Sequence, residues 1–299
     1  MGLSLLGARR VAGVALVATA CFSAPEVPVA EEADLTGAPV VDRAAYPATV
    51  QLTFANGACT GTKIAQRAVL TAAHCVDTET GGVDAAASPG AKVVLRTVAA
   101  PQGLSFTIAR VHVHPARVAV CVREGCPRDS AAMKSRQQPD VAVLELAEPL
   151  LDVPSARLRS TPVAVGAAVV LAGFGCTVDR WGKRTWDGQL RARTASTEGA
   201  AIAVHVGSQV SPAEAATHAR TYLFTRGLGS TDNAASLCSG DSGGPLYARA
   251  DDSTFDVVGV HSSYTFYPIG VRGLSVTNWH TRLDDTSAFA VGPWLRSLL

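Results

Sequence analysis

Apolar residues along this chain fall in short runs broken by Gly, Pro and Asp, and long stripes at helical spacing are rare. Residues 48–52, 68–71, 92–95, 107–113, 141–146, 167–172, 201–206 and 256–261 have the length and the β-branched composition of strands. Two stretches depart from that pattern. Residues 212–220 are Ala-rich and 293–299 close the chain after a proline, and both predict helix. No segment recurs at a fixed period, which argues against solenoids and propellers. The pattern therefore predicts an all-β protein. A proline-bounded stretch at 154–162, poor in strand signals, marks its midpoint.

The first residues do not follow this pattern. Arg9 and Arg10 precede an apolar run over 11–20, followed by Cys21, Phe22, Ser23 and Ala24. A positive start, a short apolar stretch and small residues read as an export signal over 1–24. The run is shorter than the roughly 20 residues that a spanning helix needs, so no membrane span is expected. An alternative is a lipid anchor at Cys21, as in bacterial lipoprotein signals, although Ala18 stands where those usually carry Leu. Residues 25–34, rich in Ala, Pro, Val and Glu, read as a short extended pre-segment.

Composition narrows the field. With 299 residues, 47% hydrophobic and 17% charged, the chain can bury a substantial core. A formal net charge of +1, with no basic cluster, gives no reason to expect nucleic acid or an anionic membrane as partner. Of seven cysteines, six lie beyond Cys21: Cys59, Cys75, Cys121, Cys126, Cys176 and Cys238. An even set in an exported chain points to disulfides. Zinc is the rival use, but no Cys-x-x-Cys pair occurs.

Three motifs carry candidate chemistry. In Gly240-Asp241-Ser242-Gly243-Gly244-Pro245 a serine lies among glycines that allow a tight, open turn with backbone N–H groups facing outward. A serine hydroxyl is a weak nucleophile and needs a neighbouring base. Leu70-Thr71-Ala72-Ala73-His74-Cys75 offers one in His74. Asp140 opens the apolar run Val141-Ala142-Val143-Leu144, so its carboxylate is expected to be buried and to need a partner, which His74 would supply. Asp129, Asp152 and Asp179 lack that context.

In this order, His74, Asp140 and Ser242 with their flanking residues resemble the trypsin-like (chymotrypsin family) serine proteases, in particular secreted bacterial members. The resemblance covers residues 35–299. It implies two six-stranded antiparallel β-barrels, about 35–155 and 156–299, packed together with a short C-terminal helix. It also implies a serine endopeptidase: Ser242 attacks the scissile carbonyl, His74 shuttles the proton, Asp140 orients the imidazolium, and the N–H groups of Gly240 and Ser242 form the oxyanion hole. Protein or peptide substrates and protein inhibitors are the implied partners, and no cofactor or metal is required. The resemblance further implies the disulfides 59–75, 121–126 and 176–238, although the family's cysteine downstream of the serine is missing and Cys176 takes its role.

Two expectations depart from trypsin itself. The residue six before the nucleophile, at the base of the specificity pocket, is Ser236 and not aspartate, so preference for Lys or Arg is not expected. The substrate-binding strand is Ser262-Ser263-Tyr264, with Tyr264 at the pocket wall favouring small or medium apolar side chains. Relatives mature by cleavage that frees an amino group to pair with the aspartate before the nucleophile, here Asp241. The corresponding new terminus is Leu35, preceded by Asp34; no Lys or Arg lies between Arg10 and Arg43, so tryptic self-activation is not expected. That degenerate start supports the alternative, a catalytically silent binding module of the same fold. His112 and His114 share a strand face and are set aside as a metal pair, and 181–188 reads as an exposed loop.

Overall fold

The computed structural model describes residues 33–35, 38–126, 137–178, 183–203, 212–227, 235–252, 254–269 and 273–299. The export signal, Cys21, Asp129 and Asp179 lie outside the described residues.

The described chain opens on β1 (Ala33–Asp34). Six strands then close into a first barrel: β2 (Thr49–Phe54), β3 (Gly57–Ala65), β4 (Ala68–Thr71), β5 (Lys92–Arg96), β6 (Leu104–Val113) and β7 (Ala142–Leu146), in the order β2-β3-β4-β7-β6-β5. Every neighbouring pair is antiparallel, and β5 returns to β2 to close the ring. Between β6 and β7 lies α1 (Pro115–Glu124), which the sequence pattern did not predict.

The second barrel follows β8 (Arg157–Leu158), which runs parallel to the start of β15. Its strands are β9 (Ala168–Gly173), β12 (Arg191–Glu198), β13 (Tyr222–Arg226), β14 (Pro245–Arg249), β15 (Phe255–Ile269) and β16 (Gly273–Arg282). They run β14-β9-β12-β13-β16-β15, and the β14–β15 pairing closes this ring too. A small side sheet sets β10 (Thr177–Val178) between β1 and β11 (Arg184–Thr185), so the end of the pre-segment is a paired strand. Two further short helices lie among the described residues, α2 (Pro212–His218) and α3 (Val291–Arg296). Residues 200–203 form a 3-10 turn, Ala200–Ala203, and not the start of the strand expected at 201–206.

Strand periodicity explains how the barrels join. Alternate residues point to opposite faces, and here both faces are packed. Val69 of β4 and Ala142, Leu144 and Leu146 of β7 fill the first barrel. Their neighbours Ala68, Leu70 and Val143 face outward into a second cluster with Val170 and Ala172 of β9 and Tyr247 of β14. Val169, Leu171, Leu246 and Ala248 point inward and fill the second barrel. One set of strands thus builds two barrel cores and the seam between them, each fully buried Val or Leu contributing about 1.5–3 kcal/mol. Val291 and Leu295 of α3 close the seam at one end.

Candidate active site at the seam

The first barrel brings His74 and Asp140 together. His74 lies in the 3-10 turn Ala73–Cys75, which ends β4, and the Cys59–Cys75 disulfide ties that turn to β3. Asp140, 0% exposed, precedes β7. Because β4 and β7 are paired, the ends of the two strands place these side chains side by side. His74 Nδ1 stands 2.7 Å from Asp140 Oδ2, and the His74 backbone N–H donates to Asp140 Oδ1 at 3.0 Å. From the second barrel, Ser262 Oγ donates to the same Oδ2 at 2.6 Å. Burial pushes the Asp140 carboxyl up, but the charges of His74 and Arg117 and the hydrogen bonds from His74 and Ser262 outweigh it, so its pKa falls well below the usual carboxylate range.

The second barrel supplies Ser242, on the turn just before β14. This turn is fixed from across the seam by Thr60 of β3. The Thr60 N–H donates to the Ser242 carbonyl at 2.8 Å, and Thr60 Oγ1 donates to the Gly240 carbonyl at 2.8 Å. Gly240 and Gly243 have φ of +100° and +83°, a region open to glycine at little cost. A Cβ on Gly243 would in addition collide with Thr71 Oγ1 and the Thr60 carbonyl. Among the described residues, the Gly240 and Ser242 N–H groups donate to no protein acceptor, and Ser242 Oγ makes no hydrogen bond to His74.

His74 and Ser242 line one cavity of about 300 Å³. Leu237, Cys238, Ser239, Ser262, Ser263 and Tyr264 form the rest of its main walls, and among the described residues no carboxylate lines it. Ser236 is buried and lies outside this lining. Asn278 of β16, which the sequence did not single out, bonds to the segment that carries these walls. Its Oδ1 accepts the Leu237 N–H at 3.0 Å, and its Nδ2 donates to the Ala235 carbonyl at 2.7 Å and to Thr225 Oγ1 at 3.1 Å. The described end of the loop at 181–188 reaches the rim, where Trp186 Nε1 donates to the Ser239 carbonyl at 3.0 Å.

Asp241 is fully buried behind Ser242 and accepts the N–H groups of Gly175 (2.7 Å) and Cys238 (2.8 Å). Burial is the dominant influence and pushes its pKa up to about 7, against the two N–H donors and the more distant charge of Arg191. Leu35, 1% exposed, packs in the same cluster as Leu171 and Leu237, close in sequence to Gly173 and Cys238.

The remaining candidates have other surroundings. Cys121 pairs with Cys126 at the end of α1, and Cys176 pairs with Cys238 beside the cavity. His112 faces Glu145 at 3.3 Å, whereas buried His114 caps α1 by accepting the Ala116 N–H at 3.2 Å, so the two histidines do different work. The sequence reading also missed a buried histidine pair, His261 and His280, whose Nδ1 atoms are 2.9 Å apart. Burial pushes His261 down to about 3 and His280 well below the usual range. It missed Arg117 and Asp77 as well, both buried next to Asp140. The one available signal was an arginine inside an apolar run.

Comparison with known proteins bears on the family of the chain. The chain is 25% identical to human (Homo sapiens) chymotrypsin-like elastase family member 1 over 280 residues, covering 89% of this chain and 93% of the relative. The bovine (Bos taurus) protein of the same name is 26% identical over 274 residues, covering 86% and 87%. The family model named Trypsin matches residues 36–272. With two closed barrels and that match across most of its length, the chain belongs to the trypsin family of serine proteases.

Proposed function

We propose that this protein is a serine endopeptidase in which Ser242 is the nucleophile, His74 the general base and Asp140 the residue that orients it. The observation that carries this reading is the hydrogen bond from His74 to the buried Asp140, made beside Ser242 in one open cavity. With Nδ1 donating to Asp140, the other ring nitrogen, Nε2, is left as the proton acceptor. Ser242 Oγ bonds to the substrate carbonyl carbon and passes its proton to His74 Nε2. The carbonyl electron pair moves onto oxygen, facing the Gly240 and Ser242 N–H groups. The tetrahedral intermediate expels the amine, which takes the proton from His74. Water then repeats the sequence on the acyl-enzyme and restores Ser242.

Among the described residues the cavity is lined by no carboxylate, which supports cleavage after small or medium apolar residues and not after Lys or Arg, with Tyr264 at its wall. The human and bovine relatives described above are each named chymotrypsin-like elastase family member 1. In this reading the chain is an exported precursor. Its maturing cut precedes Leu35, and the freed amino group pairs with Asp241. Among the described residues no helix is long and apolar enough to cross a membrane.

A fluorophosphonate probe tests the proposal. Protein cleaved before Leu35 should be labelled, and Ser242→Ala should lose the label and at least about 10³-fold of peptidase activity. Absence of Ser242-dependent labelling in the cleaved protein would overturn the proposal in favour of a binding module. Fastest cleavage after arginine in a peptide panel would overturn the pocket assignment alone.

A further inference from the structure

Asp140 has a neighbour that the chemistry above does not use. Arg117 lies on α1 and is 1% exposed. Its Nε donates to Asp77 Oδ2 at 2.6 Å, its Nη2 donates to Asp77 Oδ1 at 3.3 Å, and its Nη1 lies 3.5 Å from Asp140 Oδ1. Asp77 is itself buried, two residues beyond the turn that carries His74. A complete ion pair is therefore buried against the carboxylate that His74 needs.

Stability does not explain such a placement. Removing a guanidinium and a carboxylate from water costs several kcal/mol per ion, and well-packed apolar side chains often do as well. What the pair supplies is charge at a defined place. We propose that Arg117, held by Asp77, is a positioning residue that fixes the Asp140 carboxylate and sets the pH at which His74 becomes available as a base. This inference rests on the peptidase reading above.

The charge count shows how. With His74 neutral, Asp77, Arg117 and Asp140 sum to −1; when His74 takes the serine proton, the cluster becomes neutral. Without Arg117 the corresponding sums are −2 and −1, and protonated His74 is held too strongly. Without Asp77 they are 0 and +1, and protonation of His74 is opposed. The groups facing the cluster come from every packed element: His74 and Asp77 from the turn and its extension, Arg117 from α1, Tyr222 from β13 and Ser262 from β15. Tyr222 remains a neutral phenol, because burial and the Asp140 charge push its pKa far above the working range. Burial works against the Arg117 charge, but Asp140 and Asp77 more than restore it. Asp77 is pushed up by burial, and Arg117 offsets part of that rise.

The test is the pH dependence of the fluorophosphonate labelling rate of Ser242, in protein cleaved before Leu35. Arg117→Met should move the acid midpoint up by about one pH unit, and Asp77→Asn should move it down by a similar amount. A residue that only stabilises the fold would lower Tm and leave both midpoints where they are in the wild type, and that result would overturn the proposal. Should Arg117→Met fail to fold, Asp77→Asn decides by itself: a downward shift supports the proposal and an unchanged or upward midpoint overturns it. Failure of the wild type to label at all is a separate result, and it overturns the peptidase reading on which this one rests.

Discussion

Asp241 is a carboxyl with no exposed surface, and burial raises its affinity for a proton. Its ordinary carboxyl range is near 3.8, and burial in the fold raises it to about 7. Between those values the unfolded chain releases the proton and the folded chain keeps it, so stability is fully present below about pH 4 and is lost as pH rises toward 7. The full effect is about 4 kcal/mol. The neutral buried histidines His114, His261 and His280 act in the opposite sense, being destabilised at acid pH, so a difference measurement is needed. The Tm of wild type minus that of Asp241→Asn should fall as pH rises from 4 to 7. A chain that begins at Leu35 should lose this slope, because its amino group would hold the carboxylate ionised. Equal slopes in wild type and Asp241→Asn would exclude the effect.

Elements were legible where one physical signal dominated. β4 and β7 are mostly buried and read as short apolar runs, interrupted only by Thr71 and Glu145, so the pattern marks them as strands, with His74 and Asp140 at their ends. β3 is just as buried, but its Gly, Ala, Thr and Lys residues give no such run; Lys63 is buried along β3 and donates to the Val153 carbonyl. α1 was missed because Val-rich segments look like strands, while its N-terminus is capped by a histidine and opened by a proline. Arg117 went unnoticed with it, since only the three-dimensional return of α1 to Asp140 gives that residue a role. Turn Ala200–Ala203 is the reverse case, a short apolar run in sequence yet wound in space. The disulfides pin these elements over loops of different length, with sequence separations of 5, 16 and 62 residues for 121–126, 59–75 and 176–238. Loop closure predicts losses of about 2, 3 and 4 kcal/mol on replacing each pair by serine. Urea unfolding of the three double variants should rank them in that order, and a reversed order would show that native packing, not chain entropy, decides.

At the scale of the molecule, the site belongs to neither barrel. His74 and Asp140 come from the first, Ser242 and Ser262 from the second, and Thr60 and Ser262 are among several residues whose hydrogen bonds reach across, Tyr222 to the Gln138 carbonyl and Thr281 to the Asp140 carbonyl being others. The barrels are joined by an apolar seam and by the chain that passes through β8, where Arg157 bridges Asp252 and Asp256 at 2.8 and 2.9 Å. None of the three disulfides among the described residues crosses from one barrel to the other. A single cut in the exposed stretch 160–162 would thus turn the protein into a two-chain complex without a covalent tie. Its activity would then obey mass action: the specific activity of an uncut enzyme is independent of dilution, whereas that of the nicked enzyme should fall once its concentration drops below the dissociation constant of the two halves. Assaying protein with an engineered cleavage site at 160–162 across a dilution series would turn peptidase activity into a measure of how strongly the seam binds.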